Sequence, residues 1–162
     1  MRKLFLVLLF LPFLLLPVQA QQVSEPQGSP LRMTLKRMTV SGKTVVISGY
    51  LQNTSDKDLP FSFVRKSGDQ SILLIDDEGN IYNSFEQIRF RFGDTTQKPD
   101  YENDSFGSLV CPSGIQMRFS IYVNGVGAYA SAFSKVKLPC VIGSPDLSSL
   151  IVFSFDSLPI PR

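Results

Sequence analysis

The stretch Ile115-Gln116-Met117-Arg118-Phe119-Ser120-Ile121-Tyr122-Val123 decides the fold of this chain, because its apolar and polar residues alternate without a break. The apolar residues all fall on one side of an extended chain, and the polar residues fall on the other. A period of two is typical of a β-strand that buries one face and exposes the other. We therefore predict a half-buried strand here.

Similar patterns predict further strands along the chain. Thr44 to Gln52 and Leu150 to Phe155 are rich in β-branched or aromatic residues at alternate positions. Shorter candidates are Met33 to Val40, Leu59 to Val64, Ser71 to Ile75, Ile81 to Asn83, Ile88 to Phe92, Gly107 to Val110 and Lys135 to Leu138. Residues 124–134 form either a helical turn or a long loop. No segment keeps a helical period over ten or more residues. The sequence thus predicts an all-β fold, an immunoglobulin-like antiparallel sandwich of about seven to ten short strands, over residues 32–157.

The first 20 residues have the composition of a secretory signal peptide. Arg2 and Lys3 precede an apolar run from Leu4 to Val18, and Ala20 stands at a plausible cleavage point. A helical membrane span needs about 20 apolar residues, and this run is shorter and contains two prolines. Cleavage is therefore favoured over an uncleaved anchor. We expect an extracytoplasmic protein, in the periplasm, at the cell surface or secreted, with no membrane span after cleavage.

The charge balance argues against a nucleic-acid partner. Removing Arg2 and Lys3 from the 16 basic residues leaves 14, which equals the 14 acidic residues. Binding to nucleic acid usually needs a clear excess of Lys and Arg. The 142 residues that follow the leader have the usual size of one domain.

The two ends of this domain contain turn-forming and strand-breaking residues. Residues 21–31 are polar and contain two prolines and a glycine, which predicts a flexible lead-in. Residues 158–162 contain two further prolines, each of which removes a backbone donor. We predict an exposed extended tail there.

Two cysteines, Cys111 and Cys140, follow the leader. An even pair in an exported protein most often forms a disulfide. The alternative, a pair of free or reactive thiols, stays open. We predict a disulfide between them.

The order of turns resembles a known family. A strand ends in the corner Asn53 to Lys57, the hairpin Leu73 to Tyr82 follows, and the turn Pro112-Ser113-Gly114 precedes the long alternating strand. From about Thr39 to Phe155 the chain is similar to bacterial secreted immunoglobulin-like domains of unassigned function. The resemblance implies a sandwich fold and an extracytoplasmic location, with a role in binding or protection and no catalytic residues. The two cysteines and the stretch 93–105 depart from the pattern.

Catalytic and metal chemistry have little support in this sequence. The chain has no histidine, which excludes His-dependent triads, His-ligated zinc and imidazole bases. Ser134 and Lys137 have the spacing of an S-x-x-K motif. That motif works on a helix, whereas on the strand predicted here the two side chains point to opposite faces. We predict no enzyme activity, no cofactor and no metal site.

The candidate binding residues lie in one loop and one strand. The long stretch 93–105 collects Asp94, Asp100, Tyr101, Glu102 and Asp104. Three interpretations stay open: a solvated flexible loop, a partner-binding loop and a calcium site, of which the calcium site is the least favoured. Arg89 and Arg91 alternate with phenylalanines. They either bind an anionic polymer or lipid headgroup or mark the solvent face of an ordinary strand.

Two functions from different classes follow from these features. The first is a non-catalytic interaction or structural component of the cell envelope or of an extracellular assembly, with a protein partner. The second is a small-ligand or glycan-binding module that uses loop aromatic residues, although the chain has no tryptophan. A hydrolase is the least favoured possibility.

Overall fold

The computed structural model of the protein describes residues 21–65, 70–143 and 150–161. The predicted signal peptide, residues 1–20, lies outside the described residues. The strands are β1 (Gln22–Ser24), β2 (Leu31–Ser41), β3 (Thr44–Asn53), β4 (Leu59–Phe63), β5 (Leu73–Asp76), β6 (Ile81–Tyr82), β7 (Ile88–Phe92), β8 (Thr95–Thr96), β9 (Pro99–Asp100), β10 (Ser105–Phe106), β11 (Leu109–Cys111), β12 (Gln116–Asn124), β13 (Ala132–Ile142) and β14 (Leu150–Pro159).

The predicted all-β antiparallel sandwich is confirmed. One sheet has the strand order β1-β2-β3-β12-β7-β8, and the other has the order β11-β4-β13-β5-β6 with β14 paired to β13. Strands β9 and β10 form a separate two-stranded hairpin. Within the described residues, all pairs of named strands are antiparallel. We call the two large sheets the first sheet and the second sheet.

The core lies between the inward faces of the two sheets. Phe63 of β4 stacks on Phe90 of β7, with ring centroids 4.5 Å apart and planes only 5° from parallel. The deciding stretch is β12, where Phe119, Ile121 and Val123 are buried as predicted. Its first residue, Ile115, lies outside the strand and is 53% exposed. The alternation therefore identified the buried face correctly but placed the start of the strand one residue too early.

The lead-in at residues 21–31 contains structure that the sequence did not predict. Strand β1 pairs with β2, where Val23 lies opposite Thr34. The side chains of β1 also reach across to β14: Gln22 Nε2 donates to the Asp156 carbonyl at 3.1 Å, and the Ser154 N–H donates to Ser24 Oγ at 3.0 Å. This segment thus joins the edges of the two sheets.

The prediction of an exposed tail at residues 158–162 is wrong. Strand β14 extends to Pro159, and both Leu158 and Ile160 are buried. The Ile160 N–H donates a 2.7 Å hydrogen bond to the Ser131 carbonyl. The prolines remove their own donors, but the apolar residues next to them, Leu158 and Ile160, still pack into the core.

The prediction of a disulfide is also wrong, because Cys111 and Cys140 are both buried free thiols. Cys111 lies on β11 and pairs with Leu59 of β4. Cys140 lies on β13, the other neighbour of β4, and pairs with Phe63. They are two strand spacings apart across the sheet, about 9 to 10 Å, and their partners on β4 are a further four residues apart along the strand. A disulfide needs Cα atoms within about 7 Å.

Within the three described ranges, no helix has the length and apolar character that a bilayer span requires.

Candidate functional site

The buried polar side chains that the structure describes are occupied by hydrogen bonds inside the protein. In the described part of the chain, every buried side-chain nitrogen or oxygen has a hydrogen-bond partner. No cluster of three or more Cys, Asp or Glu side chains able to hold a metal occurs in that part either. The candidate site therefore lies on the surface.

The outward face of the first sheet has an unusual charge distribution. Its four central strands, β2, β3, β12 and β7, contain six basic residues and no Asp or Glu. The chain that follows the leader has equal numbers of acidic and basic residues, so this face is a local excess of positive charge. We call it the arginine–tyrosine face and define it by Lys36, Arg37, Ser48, Tyr50, Arg89, Arg91, Arg118, Ser120 and Tyr122.

Strand register brings these side chains together. Arg37 lies opposite Ser48, Ser48 lies opposite Ser120, and Ser120 lies opposite Arg91. These four residues form one row that crosses four strands. Neighbouring strands are about 4.8 Å apart, so the two arginine Cα atoms are about 14 Å apart.

The two serines form a low floor in the middle of this row. Their hydroxyl groups are 3.1 Å apart and hydrogen-bonded to each other. Two residues away on the same face, Tyr50 follows Ser48 along β3 and Tyr122 follows Ser120 along β12. Because serine is short and tyrosine is long, the floor lies between two taller rings. We call this depression the serine trough.

Cations contact both tyrosine rings. The Lys36 Nζ atom lies 5.3 Å from the centroid of the Tyr50 ring, and the Arg89 Cζ atom lies 5.7 Å from that of Tyr122. Both distances fall within the range of cation–π attraction. Arg118 lies opposite Tyr50 on the neighbouring strand. The rings therefore help to position positive charge on this face.

Among the described residues, two arginines of the first sheet form ion pairs with carboxylates, and both carboxylates lie outside the four central strands. Arg32 pairs with Glu25 at 2.8 Å, and Arg91 pairs with Asp94 at 3.1 Å. The hydrogen bonds that the Arg91 guanidinium donates to the Tyr122 side chain and to the Asp94 carboxylate raise the pKa of Arg91. Exposed pairs of this kind contribute little energy and exchange readily for another anion.

The structure divides the predicted binding residues into two groups. Arg89 and Arg91 lie on the arginine–tyrosine face, with Asp94 at its margin. Asp100, Tyr101, Glu102 and Asp104 lie on or beside the β9–β10 hairpin instead.

The stretch 93–105, predicted as a loop, contains this hairpin, and it is packed on the body of the protein. Arg65 forms a 2.7 Å ion pair with Asp104 and also lies over the Phe85 ring. The exposed ring of Tyr101 contacts Phe85 edge to face at 5.1 Å. The amide groups of Asn103 lower the pKa of Asp100 by donating hydrogen bonds to its carboxylate. The carboxylates of Asp100 and Asp104 thus have local structural partners.

Sequence reasoning missed Lys36, Arg37, Arg118 and the two tyrosines as site residues. Each occupies an outward position on a predicted strand, so the alternation contained a usable signal. The pairing of strands that are distant in sequence was the missing information.

Comparison with known proteins finds no match to this chain among protein-family models, curated sequences or solved structures.

Proposed function

We propose that this chain is a non-catalytic binding module that works outside the cytoplasm and holds an acidic partner on the arginine–tyrosine face. The main support for the proposal is the set of five cations on this face, which lies on four adjacent strands that contain no Asp or Glu. Such a surface attracts anions and orients their approach. The extracytoplasmic part of the proposal rests on the leader composition of residues 1–20.

Two groups that catalysis could use, Ser134 and Asp76, form structural hydrogen bonds instead. The hydroxyl group of Ser134, the serine of the S-x-x-K motif, donates to the carbonyls of Ile75 and Asp76. The buried carboxylate of Asp76 accepts hydrogen bonds from Asn80 and Tyr82. Neither group has the adjacent base or open position that nucleophilic catalysis needs.

The proposal is tested by capturing partners from an envelope extract with three forms of the protein. The first is wild type, the second is Arg37→Ala with Arg91→Ala, and the third is Lys98→Ala with Lys135→Ala. The control pair removes the same charge from exposed positions outside the four strands. We expect wild type and the lysine control to retain an acidic component that the arginine variant loses. Equal retention by all three forms would refute the proposal.

The location is tested separately. Mass spectrometry of the protein purified after expression of the full-length sequence should give an N-terminus at Gln21. Recovery of intact Met1 in the cytoplasmic fraction would contradict the proposed location.

A further inference from the structure

The shape of the serine trough limits the class of ligand that can bind in it. The floor runs across the strands from Arg37 to Arg91, and it is one row wide between the rows that contain Tyr50 and Tyr122. Rows on one face of a strand are about 7 Å apart. This depression suits a single extended chain that has negative charges near both ends of the row.

The floor and walls suit a hydroxyl-rich chain. Each serine hydroxyl can donate one hydrogen bond and accept two. The mutual bond between Ser48 and Ser120 therefore leaves capacity for further bonds. Both serines and both tyrosines are half-buried, so they are accessible to a ligand. Tyrosine combines an apolar ring with a polar tip, and it can contact a sugar ring while its hydroxyl group bonds a neighbouring atom.

The surface has little of the exposed apolar area that a membrane or an apolar protein interface would use. The buried core of a stable protein interface is more apolar than the rest of the surface. Of the large hydrophobic residues that are exposed in the described segments, one, Val40, lies near the end of β2 and none lies on β3, β7 or β12. A membrane-binding surface inserts exposed apolar side chains into the bilayer, and β3, β7 and β12 have no exposed large apolar side chain for this purpose.

We propose that the serine trough binds a linear acidic polysaccharide, with its carboxylate or sulfate groups on Arg37 and Arg91 and its sugar rings against Tyr50 and Tyr122. This inference rests on the proposed function, because it names the acidic partner of the same face. Guanidinium groups form strong paired hydrogen bonds with planar carboxylates.

The test is affinity electrophoresis of the native protein, expressed from the full-length sequence, in gels that contain alginate, a linear polyuronate. Parallel gels contain poly-glutamate at the same charge concentration, and vesicles of phosphatidylglycerol are tested by co-sedimentation. We expect alginate to retard wild type most strongly, with an effect that weakens as salt is added. Arg37→Ala with Arg91→Ala should raise the dissociation constant for alginate at least about 10-fold, since hydrogen bonds to charged groups are strong. Lys98→Ala with Lys135→Ala should leave it within about 2-fold, since isolated exposed charges contribute little.

A variant that fills the floor separates trough binding from general charge attraction. Ser120→Ile keeps every charge and suits a strand, but its side chain occupies the space above Ser48. We expect it to lose alginate retardation while its thermal unfolding stays cooperative. Equal binding of alginate by Ser120→Ile and wild type would overturn the inference.

The failure of this inference differs from the failure of the proposed function. If poly-glutamate or vesicles bind as tightly as alginate, or if alginate does not bind, the polysaccharide is refuted. The proposed function then still stands if the arginine variant loses a partner from the extract. If capture from the extract is also independent of Arg37 and Arg91, both proposals fail.

Discussion

The hydroxyl group of Tyr82 donates a 2.8 Å hydrogen bond to the carboxylate of Asp76, and both side chains are buried at the β5–β6 hairpin. The same carboxylate accepts backbone hydrogen bonds from Glu78 and Asn80 and a side-chain hydrogen bond from Asn80. Burial by itself raises the pKa of Asp76, but these donors outweigh it and leave the pKa below its ordinary value of 3.8. Burial and the bond to Asp76 raise the pKa of Tyr82 to about 12.

Removing the Tyr82 hydroxyl group should destabilise the protein. Tyr82→Phe keeps the ring and removes one donor from a buried carboxylate, which costs about 1 to 3 kcal/mol. Urea unfolding of the variant and wild type measures this difference. Tyr101→Phe is the matched control, because that ring is 70% exposed, and its free energy of unfolding should match wild type. Equal effects of the two substitutions would contradict the structural role of the Tyr82 bond.

The same pair predicts a specific pH dependence. The folded-state pKa of Asp76 is depressed, so its contribution to stability is present above pH 3.8 and is lost as the pH falls through the folded value. The folded-state pKa of Tyr82 is raised, so its contribution is present below pH 10 and is lost as the pH rises through about 12. The absorbance of phenolate in wild type minus that in Tyr82→Phe should titrate near pH 12. A midpoint near pH 10 would show that the phenol is not held by Asp76.

Gly49 should tolerate no side chain. It lies in β3 opposite Leu35 and Phe119, and a Cβ atom there would come within 2.0 Å of the Thr34 carbonyl oxygen. Backbone of a paired strand cannot move aside cheaply, so Gly49→Ala should destabilise by about 1 to 3 kcal/mol or more. Gly107→Ala is the control, since its nearest contact would be 3.4 Å, to a glutamine side chain. Thermal unfolding midpoints that fall equally in both variants would exclude this explanation.

The corner at Asn53 should depend on its amide group. The side-chain nitrogen of Asn53 donates to the carbonyls of Lys57 and Cys111, and the side-chain oxygen accepts from Ser55. Asn53 itself is fully buried. Asn53→Asp keeps the acceptor, removes both donors and turns a carboxylate toward the two carbonyl oxygens, at a cost of about 1 to 3 kcal/mol. Asn83→Asp, at an exposed position, should be neutral in the same urea titration.

The two thiols should be free and protected. Burial raises the pKa of Cys111 to about 11 and raises that of Cys140 further. Because the thiolate is the reactive form, the folded protein should resist iodoacetamide at neutral pH. In urea, without reductant, both cysteines should be alkylated. Recovery of a peptide pair linked through Cys111 and Cys140 would restore the disulfide predicted from the sequence.

Local periodicity was enough to predict the strands that pack the core. Val45, Ile47 and Leu51 were assigned to one side of β3, and all three are buried. Strands β1, β8, β9 and β10 were not predicted, because each has only two or three residues and at most one of these is a large apolar residue. They form through backbone pairing with, or packing against, segments that are distant in sequence.

The candidate site needed information that one sequence does not contain. Arg89 and Arg91 were recognised because they are neighbours in sequence. Arg37 lies 54 positions before Arg91, and only the strand order β2-β3-β12-β7 places them in one row. The serines between them carry no signal of their own, since short polar residues are common at outward strand positions.

The most direct test of the account is to map where an acidic ligand binds. Amide chemical shifts of the isotope-labelled protein are followed during titration with alginate oligosaccharides. We expect shifts at Ser48, Ser120 and Arg91, and none at Leu74 or Val136 in the second sheet. Shifts confined to the β9–β10 hairpin or to the second sheet, or none anywhere, would contradict it.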